Sequence, residues 1–276
     1  MIKLKGKQKS IGVFDSGFGG INILRGIVRE LPEYNYLYLG DTARTPYGTR
    51  SREIVYEFTK QAIDFMFANG CELVILACNT ASSDALRKLQ QEYLPKRYPG
   101  KKILGVLVPA TEAAVDSTRN RRVGIIATEG TVKSNAFVDE LIKLDSGIKV
   151  FQNACPLLVP IVEAGEQNSK AAKLILEAYI KPLKKKNVDT LILGCTHYGI
   201  LERRIKEAAG SNITIVSEAI VVPRKLKLYF ARHPEIESVI GKKRSIRFYT
   251  TDLTDKFTTL GSKFFGRAVK AEKITL

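Results

Sequence analysis

Short, nearly unbroken apolar runs alternate with longer stretches of helical periodicity along the whole chain. Strands are expected at 10–14 (ending at Asp15), 36–39, 73–76 and 103–108, the last closed by Pro109. The rhythm then restarts, with strands at 123–127, 149–151, 190–193, 213–216 and 245–249. Helical patterns fill the gaps at 22–31, 54–69, 82–93, 132–144, 171–184 and 255–265. A strand that is apolar at successive positions must be covered on both faces, and helices between strands supply that cover. The pattern predicts an α/β fold with mostly parallel sheets. At about 150 residues per domain, a chain of this length predicts roughly two domains. No linker rich in Pro, Gly or Ser separates them, so any boundary is tight, near Pro109 and near Pro223.

Several function classes drop out early. There is no run of ~18 apolar residues that would cross a membrane. The first ten residues carry lysines at 3, 5, 7 and 9, but Asp15 interrupts the next segment too soon for a secretory signal. The expected location is the cytoplasm. The four cysteines include no CxxC pair, and the two histidines, His197 and His233, lie far apart, so neither a zinc site nor any other metal site is expected. The formal charge of +16 raises nucleic acid as a partner. The basic groups, at 119–122, 184–186 and 242–244, are scattered and lack interleaved aromatics, which favours a solvated basic surface and makes nucleic-acid binding unlikely, though not excluded.

One internal echo carries chemistry. Val74-Ile75-Leu76-Ala77-Cys78-Asn79-Thr80 repeats as Leu191-Ile192-Leu193-Gly194-Cys195-Thr196-His197. Each segment has three apolar residues, a small one, a cysteine and two polar residues. Ligands of parallel sheets bind beyond the carboxyl ends of strands, which is where both thiols fall. Two such thiols suit paired acid and base work, one removing a proton while the other returns one. A free thiol near pKa ~8.5 needs local help to act as a base. Cys71 and Cys155 are not followed by such a polar pair and read as core residues.

Other polar loops follow strands. Asp15-Ser16-Gly17-Phe18-Gly19-Gly20 allows close backbone approach to a ligand. It is neither a dinucleotide fingerprint, since Asn22 replaces the third glycine, nor a P-loop. Its carboxylate suits an ammonium group or the steadying of a neighbouring acid or base. Asp41, Tyr47 and Gly48 lie in a second loop expected to line a substrate. His197, two residues after Cys195, and Glu163, read as a helix-start glutamate, complete the candidates.

The blocks DSGFGG (15–20), YLGDTARTPYG (38–48), ACNTAS (77–82), ACPLLVPIVEAG (154–165) and LGCTHY (193–198) resemble the signature blocks of the glutamate racemases, within the cofactor-independent Asp/Glu racemase family. The resemblance runs from about Ile11 to FYTTD at 248–252. Gly199 stands where that family usually has proline, and Val216-Ser217-Glu218-Ala219 fits only loosely.

The resemblance implies two similar flavodoxin-like α/β domains facing each other across a cleft, with residues 1–108 and 222–276 in the first and 109–221 in the second. It implies a cofactor-free interconversion of L- and D-glutamate, the product feeding peptidoglycan, in a homodimer. It further implies that Cys78 and Cys195 are the proton-transfer thiols, with Asp15 assisting Cys78, and His197 and Glu163 assisting Cys195. Asp15, Ser16, Asp41, Tyr47, Gly48, Asn79, Thr80, Thr196 and His197 would hold the substrate. Racemisation of aspartate or a related amino acid, and a nucleic-acid-binding regulator on a racemase scaffold, are the alternatives.

Overall fold

The computed structural model describes residues 8–276; Lys3, Lys5 and Lys7 of the basic N-terminal stretch lie outside the described residues. Ten strands run in chain order: β1 (Ser10–Asp15), β2 (Tyr36–Gly40), β3 (Cys71–Leu76), β4 (Lys102–Gly105), β5 (Arg122–Ala127), β6 (Lys149–Ala154), β7 (Thr190–Gly194), β8 (Thr214–Val216), β9 (Ile246–Thr250) and β10 (Ala271–Lys273). They form a six-stranded sheet, β10-β9-β2-β1-β3-β4, and a four-stranded sheet, β6-β5-β7-β8. Every pairing is parallel. The chain returns to the first sheet at its end, where β9 pairs with β2.

The two sheets share one winding. β2-β1-β3-β4 and β6-β5-β7-β8 both place the second strand beside the first and then jump across to the third. The strand order therefore reverses between β1 and β3, and again between β5 and β7. Beyond the carboxyl ends of such a pair the flanking loops diverge and leave a crevice. The apolar runs explain the burial: all residues of β1, β2 and β7 are buried. The larger apolar cluster is continuous, joining Val13 and Ile21 of the first half to Ile125 and Leu193 of the second.

The structure departs from the sequence reading at several elements. The strand expected over 103–108 stops at Gly105, and a helix, Leu107–Ser117, takes up the rest. Pro109 falls in its first turn, where an N–H has no intrahelical partner to lose. The helix expected over 82–93 starts at Asn79, directly after Cys78, and continues to Arg97 with an irregular turn at Leu89–Tyr93. The helix expected over 132–144 is two, Glu129–Ser134 and Ala136–Leu144, hinged at Asn135 with φ 57°. Helix Glu218–Arg232 was not expected, because Pro223 lies inside it.

That proline has a packing role. With no N–H at Pro223, the carbonyl of Ala219 loses its helical donor. Gly26 of helix Gly20–Glu30 packs against this oxygen so closely that a Cβ on Gly26 would stand 2.2 Å from it. The contact clamps the two helices together, one leading from the end of β1 and the other from the end of β8.

Candidate active site

Asp15 ends β1 and is fully buried. Its Oδ2 accepts from the Gly17 N–H at 3.0 Å, and its Oδ1 accepts from the Thr196 hydroxyl at 3.3 Å. The second bond joins the two halves of the molecule. Burial pushes the Asp15 carboxyl above the ordinary carboxylate value, against the opposing influence of His197 and of the Gly20 and Gly17 N–H groups.

Cys78 follows β3 and caps helix Asn79–Asp84. Its Sγ lies 3.4 Å from the Ser16 hydroxyl. Burial, with the Asp15 carboxylate adding to it, pushes the thiol up to about 12; the Ser16 hydroxyl and the Ala81 and Ser16 N–H groups work the other way. Cys195 stands in the equivalent place after β7. Burial lifts its thiol well above the ordinary value; the His197 N–H opposes this, and Cys78, Asp15 and Glu218 reinforce it. Both thiols are nearly sealed from solvent, at 6% and 7% exposure. Each therefore keeps its proton unless a positive group enters or a neighbour takes the proton.

His197 lies beside Cys195, its Nδ1 3.9 Å from the sulfur and 3.4 Å from the Thr196 hydroxyl. Its Nε2 faces Glu163 Oε1 at 3.4 Å, and the Phe18 and His197 rings pack edge-on at 60°, with centroids 5.4 Å apart. Glu163 is not a helix-start residue: it ends helix Leu158–Glu163, which delivers it to the histidine. Burial pushes the Glu163 carboxyl up, but His197 and Lys256 outweigh it and hold the group below the ordinary value.

The structure gathers most of the remaining candidates around these groups. Thr80 Oγ contacts Thr128 at 3.2 Å and Thr131 at 3.4 Å across the two halves. Gly48 sits against the same Thr128, so close that a Cβ there would be 2.9 Å from Thr128 Cβ. Asn79 Nδ2 donates to Glu218 Oε2 at 2.8 Å, leaving Asn79 Oδ1 buried without a protein partner. Asp41 is engaged within the protein: Tyr47 and Arg44 donate to Oδ2 at 2.5 and 2.7 Å, and Thr251 donates to Oδ1 at 2.8 Å. These bonds hold the loop that carries Tyr47 and Gly48.

Glu218 escaped the sequence reading as a site residue. It opens a helix, a usual place for a solvated glutamate, yet only 3% of it is exposed. The four apolar residues after it, Ala219 to Val222, were the available signal. Thr128 and Thr131 were likewise missed, because their role depends on loops that meet only in the fold. Among the described residues no cluster of three or more His, Cys, Asp or Glu forms a metal-ligand set. A cavity of about 660 Å³ opens between helix Leu107–Ser117 and helix Glu218–Arg232, and neither Cys78 nor Cys195 lines it. No helix among the described residues is long and apolar enough to cross a membrane.

The arrangement is a pair of sealed thiols at equivalent strand ends, each with hydrogen-bond donors and a carboxylate or imidazole nearby. Such a pair can move protons at a carbon held between them. Residues 11–222 match the family model for Asp/Glu/hydantoin racemases. The chain is 37% identical over 263 residues to the glutamate racemase of Oceanobacillus iheyensis, covering 94% of this chain and 92% of that protein. It is 37% identical over 265 residues to the glutamate racemase of Neisseria meningitidis serogroup A, covering 96% of each. The crystal structure of a Bacillus anthracis glutamate racemase superposes with a TM-score of 0.89 at 32% identity, covering 98% of this chain and 99% of that one. That of the Francisella tularensis glutamate racemase in complex with D-glutamate gives 0.86 at 29% identity, covering 98% of each. The chain thus belongs to the Asp/Glu racemase family and, within it, to the glutamate racemases, isomerases of class EC 5.1.1.3.

Proposed function

We propose that the chain interconverts L- and D-glutamate by a two-thiol mechanism, with Cys78 and Cys195 serving opposite faces of Cα. One observation carries this reading: two nearly buried thiols follow equivalent strands, β3 and β7, of two sheets wound the same way. A thiol pushed up to about 12 is almost wholly protonated near neutrality. The ammonium group of an entering glutamate supplies the missing positive charge beside Asp15 and makes a thiolate tolerable, the thiol's proton passing to Asp15 at Cys78 or to His197 at Cys195. That thiolate removes the Cα proton while the opposite thiol, still protonated, donates from the far side. Asp15 assists at Cys78; His197, backed by Glu163, assists at Cys195. Charge gathering on the α-carboxylate is met by hydroxyl donors from Ser16, Thr80 and Thr196, with Asn79 also in contact with the substrate, in a site closed to water. Tyr47 and Gly48 complete the wall, held in place by Asp41.

In this reading the walls of the cleft are two α/β domains, residues 1–108 with 222–276, and residues 109–221. The enzyme works in the cytoplasm as a homodimer and supplies D-glutamate for peptidoglycan, as the family resemblance implies. The test is circular dichroism of L-glutamate with purified protein and no added cofactor, with L-aspartate in parallel. Decay of the glutamate signal toward zero is expected, with L-aspartate turned over far more slowly. Faster decay of L-aspartate, or a stable glutamate signal, overturns the proposal.

A further inference from the structure

The active site contains one buried carboxyl that the two-thiol mechanism does not use. Glu218 opens helix Glu218–Arg232 and is 3% exposed. Its Oε2 accepts from Asn79 Nδ2 at 2.8 Å, and its Oε1 is buried without a protein partner. A water-sized cavity, about 10 Å³, is walled by Glu218 together with Asn22, Cys195, Thr196, Gly199 and Ser217. Glu218 therefore touches Asn79, which follows Cys78 in the six-stranded half, while bordering Cys195 and Thr196 of the four-stranded half.

A buried carboxyl is costly to keep, and a core position of this size is better filled by an apolar residue unless the polar group has work to do. The geometry suggests the work. A primary amide has a donor end and an acceptor end, and an isolated one can present either to a ligand. Here the acceptor Glu218 engages the nitrogen of Asn79, and the oxygen of Asn79 is left free. We propose that Glu218 is a positioning residue for substrate: by holding Asn79 through its nitrogen, it presents Asn79 Oδ1 as an acceptor for the ammonium group of glutamate. This rests on the proposal that glutamate binds beside Asn79. Burial, the largest influence, raises the Glu218 carboxyl well above the ordinary value, and the Asp15 carboxylate adds to this.

The test is a double-mutant cycle on the full chain with Glu218→Leu, Asn79→Ala and the double variant. Affinity is read by calorimetry for D-glutamate and for glutarate, the same diacid without its ammonium group, and turnover is measured in parallel. Loss of one well-placed hydrogen bond predicts a Kd for D-glutamate raised about tenfold in Glu218→Leu. Because the contact exists before and during reaction, KM rises with it while kcat stays within about threefold. Glutarate affinity is unchanged, and Glu218→Leu has no further effect once Asn79 is alanine. Glu218→Gln, which keeps an acceptor oxygen in place, restores wild-type values. Should Glu218→Leu fail to fold, Glu218→Ala is read in the same way.

Equal weakening of D-glutamate and glutarate, additive effects of the two substitutions, or a silent Glu218→Leu overturns the positioning role. If the wild type neither binds nor racemises glutamate, the proposed function falls and this role falls with it. If the wild type is active and the cycle is additive, only the positioning role falls.

Discussion

Gly19→Ala is the smallest change that separates folding from catalysis in this molecule. Gly19 has φ −59° and ψ −37°, angles any residue adopts, so alanine introduces no backbone strain. The obstacle is the neighbouring half of the molecule. A Cβ on Gly19 would stand 2.4 Å from Thr196 Oγ, 2.6 Å from His197 Nδ1 and 2.9 Å from His197 Cε1. Ordinary contact begins at 3.4 Å, so Thr196 must retreat by about 1 Å (3.4 minus 2.4). The bonds this displaces are already at their reach: Thr196 to Asp15 at 3.3 Å, and His197 to Cys195 at 3.9 Å. A misplacement of about 1 Å in a catalytic constellation costs roughly 10²-fold in rate, equivalent to about 2.7 kcal/mol of barrier. The expected result is kcat reduced about 10²-fold in both directions, with circular dichroism close to wild type and the thermal midpoint lowered by several degrees, since crowding a packed site costs about 1–3 kcal/mol. Turnover within threefold of wild type in a folded Gly19→Ala protein would refute the inferred coupling between this loop and the Thr196–His197 pair.

Three further outcomes are expected. Asp15→Asn lowers kcat more than it raises KM, because a group that aids proton transfer acts mainly in the transition state; steady-state kinetics showing a pure KM effect would make Asp15 an ammonium anchor instead. Cys71→Ala and Cys155→Ala, each removing a fully buried side chain, lose about 1–2 kcal/mol in urea unfolding yet keep substantial turnover. Stability falls at alkaline pH: Cys71 and Cys155 are both pushed by burial from 9.0 to about 12. Between those values the unfolded thiol has lost its proton and the folded one has kept it, so each thiol costs about 1.4 kcal/mol per pH unit as pH rises, and unfolding curves at pH 9 and 10.5 that coincide would contradict this.

The sequence was most readable where one residue's surroundings are local. Cys78 and Cys195 could be singled out because each closes an apolar strand with polar residues at the same offset, and a parallel sheet makes strand ends into sites. The strand alternation likewise foretold two parallel sheets. What could not be read depends on contacts between segments distant in sequence. Pro109 looks like a strand terminator but serves in the first turn of a helix, and Pro223 argues against a helix but lies within one. In both cases the local signal is the same whether the chain breaks or not. Glu163 was misplaced at a helix start; it ends its helix and meets His197, a fact set by the loop that follows β6. Asp41 appears in a loop that faces the site, yet Arg44, Tyr47 and Thr251 occupy both of its oxygens. Glu218 is hidden for a further reason: charge at a helix start normally means solvent, and Glu218 is buried by segments distant in sequence, among them helix Gly20–Glu30, Asn79 and the Cys195–Thr196 turn.

The two-thiol account is tested most directly by solvent deuterium at early times. Racemisation is started in deuterated water from either enantiomer, stopped at a few per cent conversion, and the Cα deuterium of recovered substrate and product is measured separately. If each thiol serves one face, the donor thiol exchanges with solvent before each turnover and the product carries close to one deuterium. The recovered substrate carries almost none, because the thiol that took its proton can only return that proton. This pattern is predicted from both the L and the D side. Product that retains the substrate's own hydrogen, or substrate that gains deuterium as fast as product, would mean that a single base works both faces and would contradict the pairing of Cys78 with Cys195.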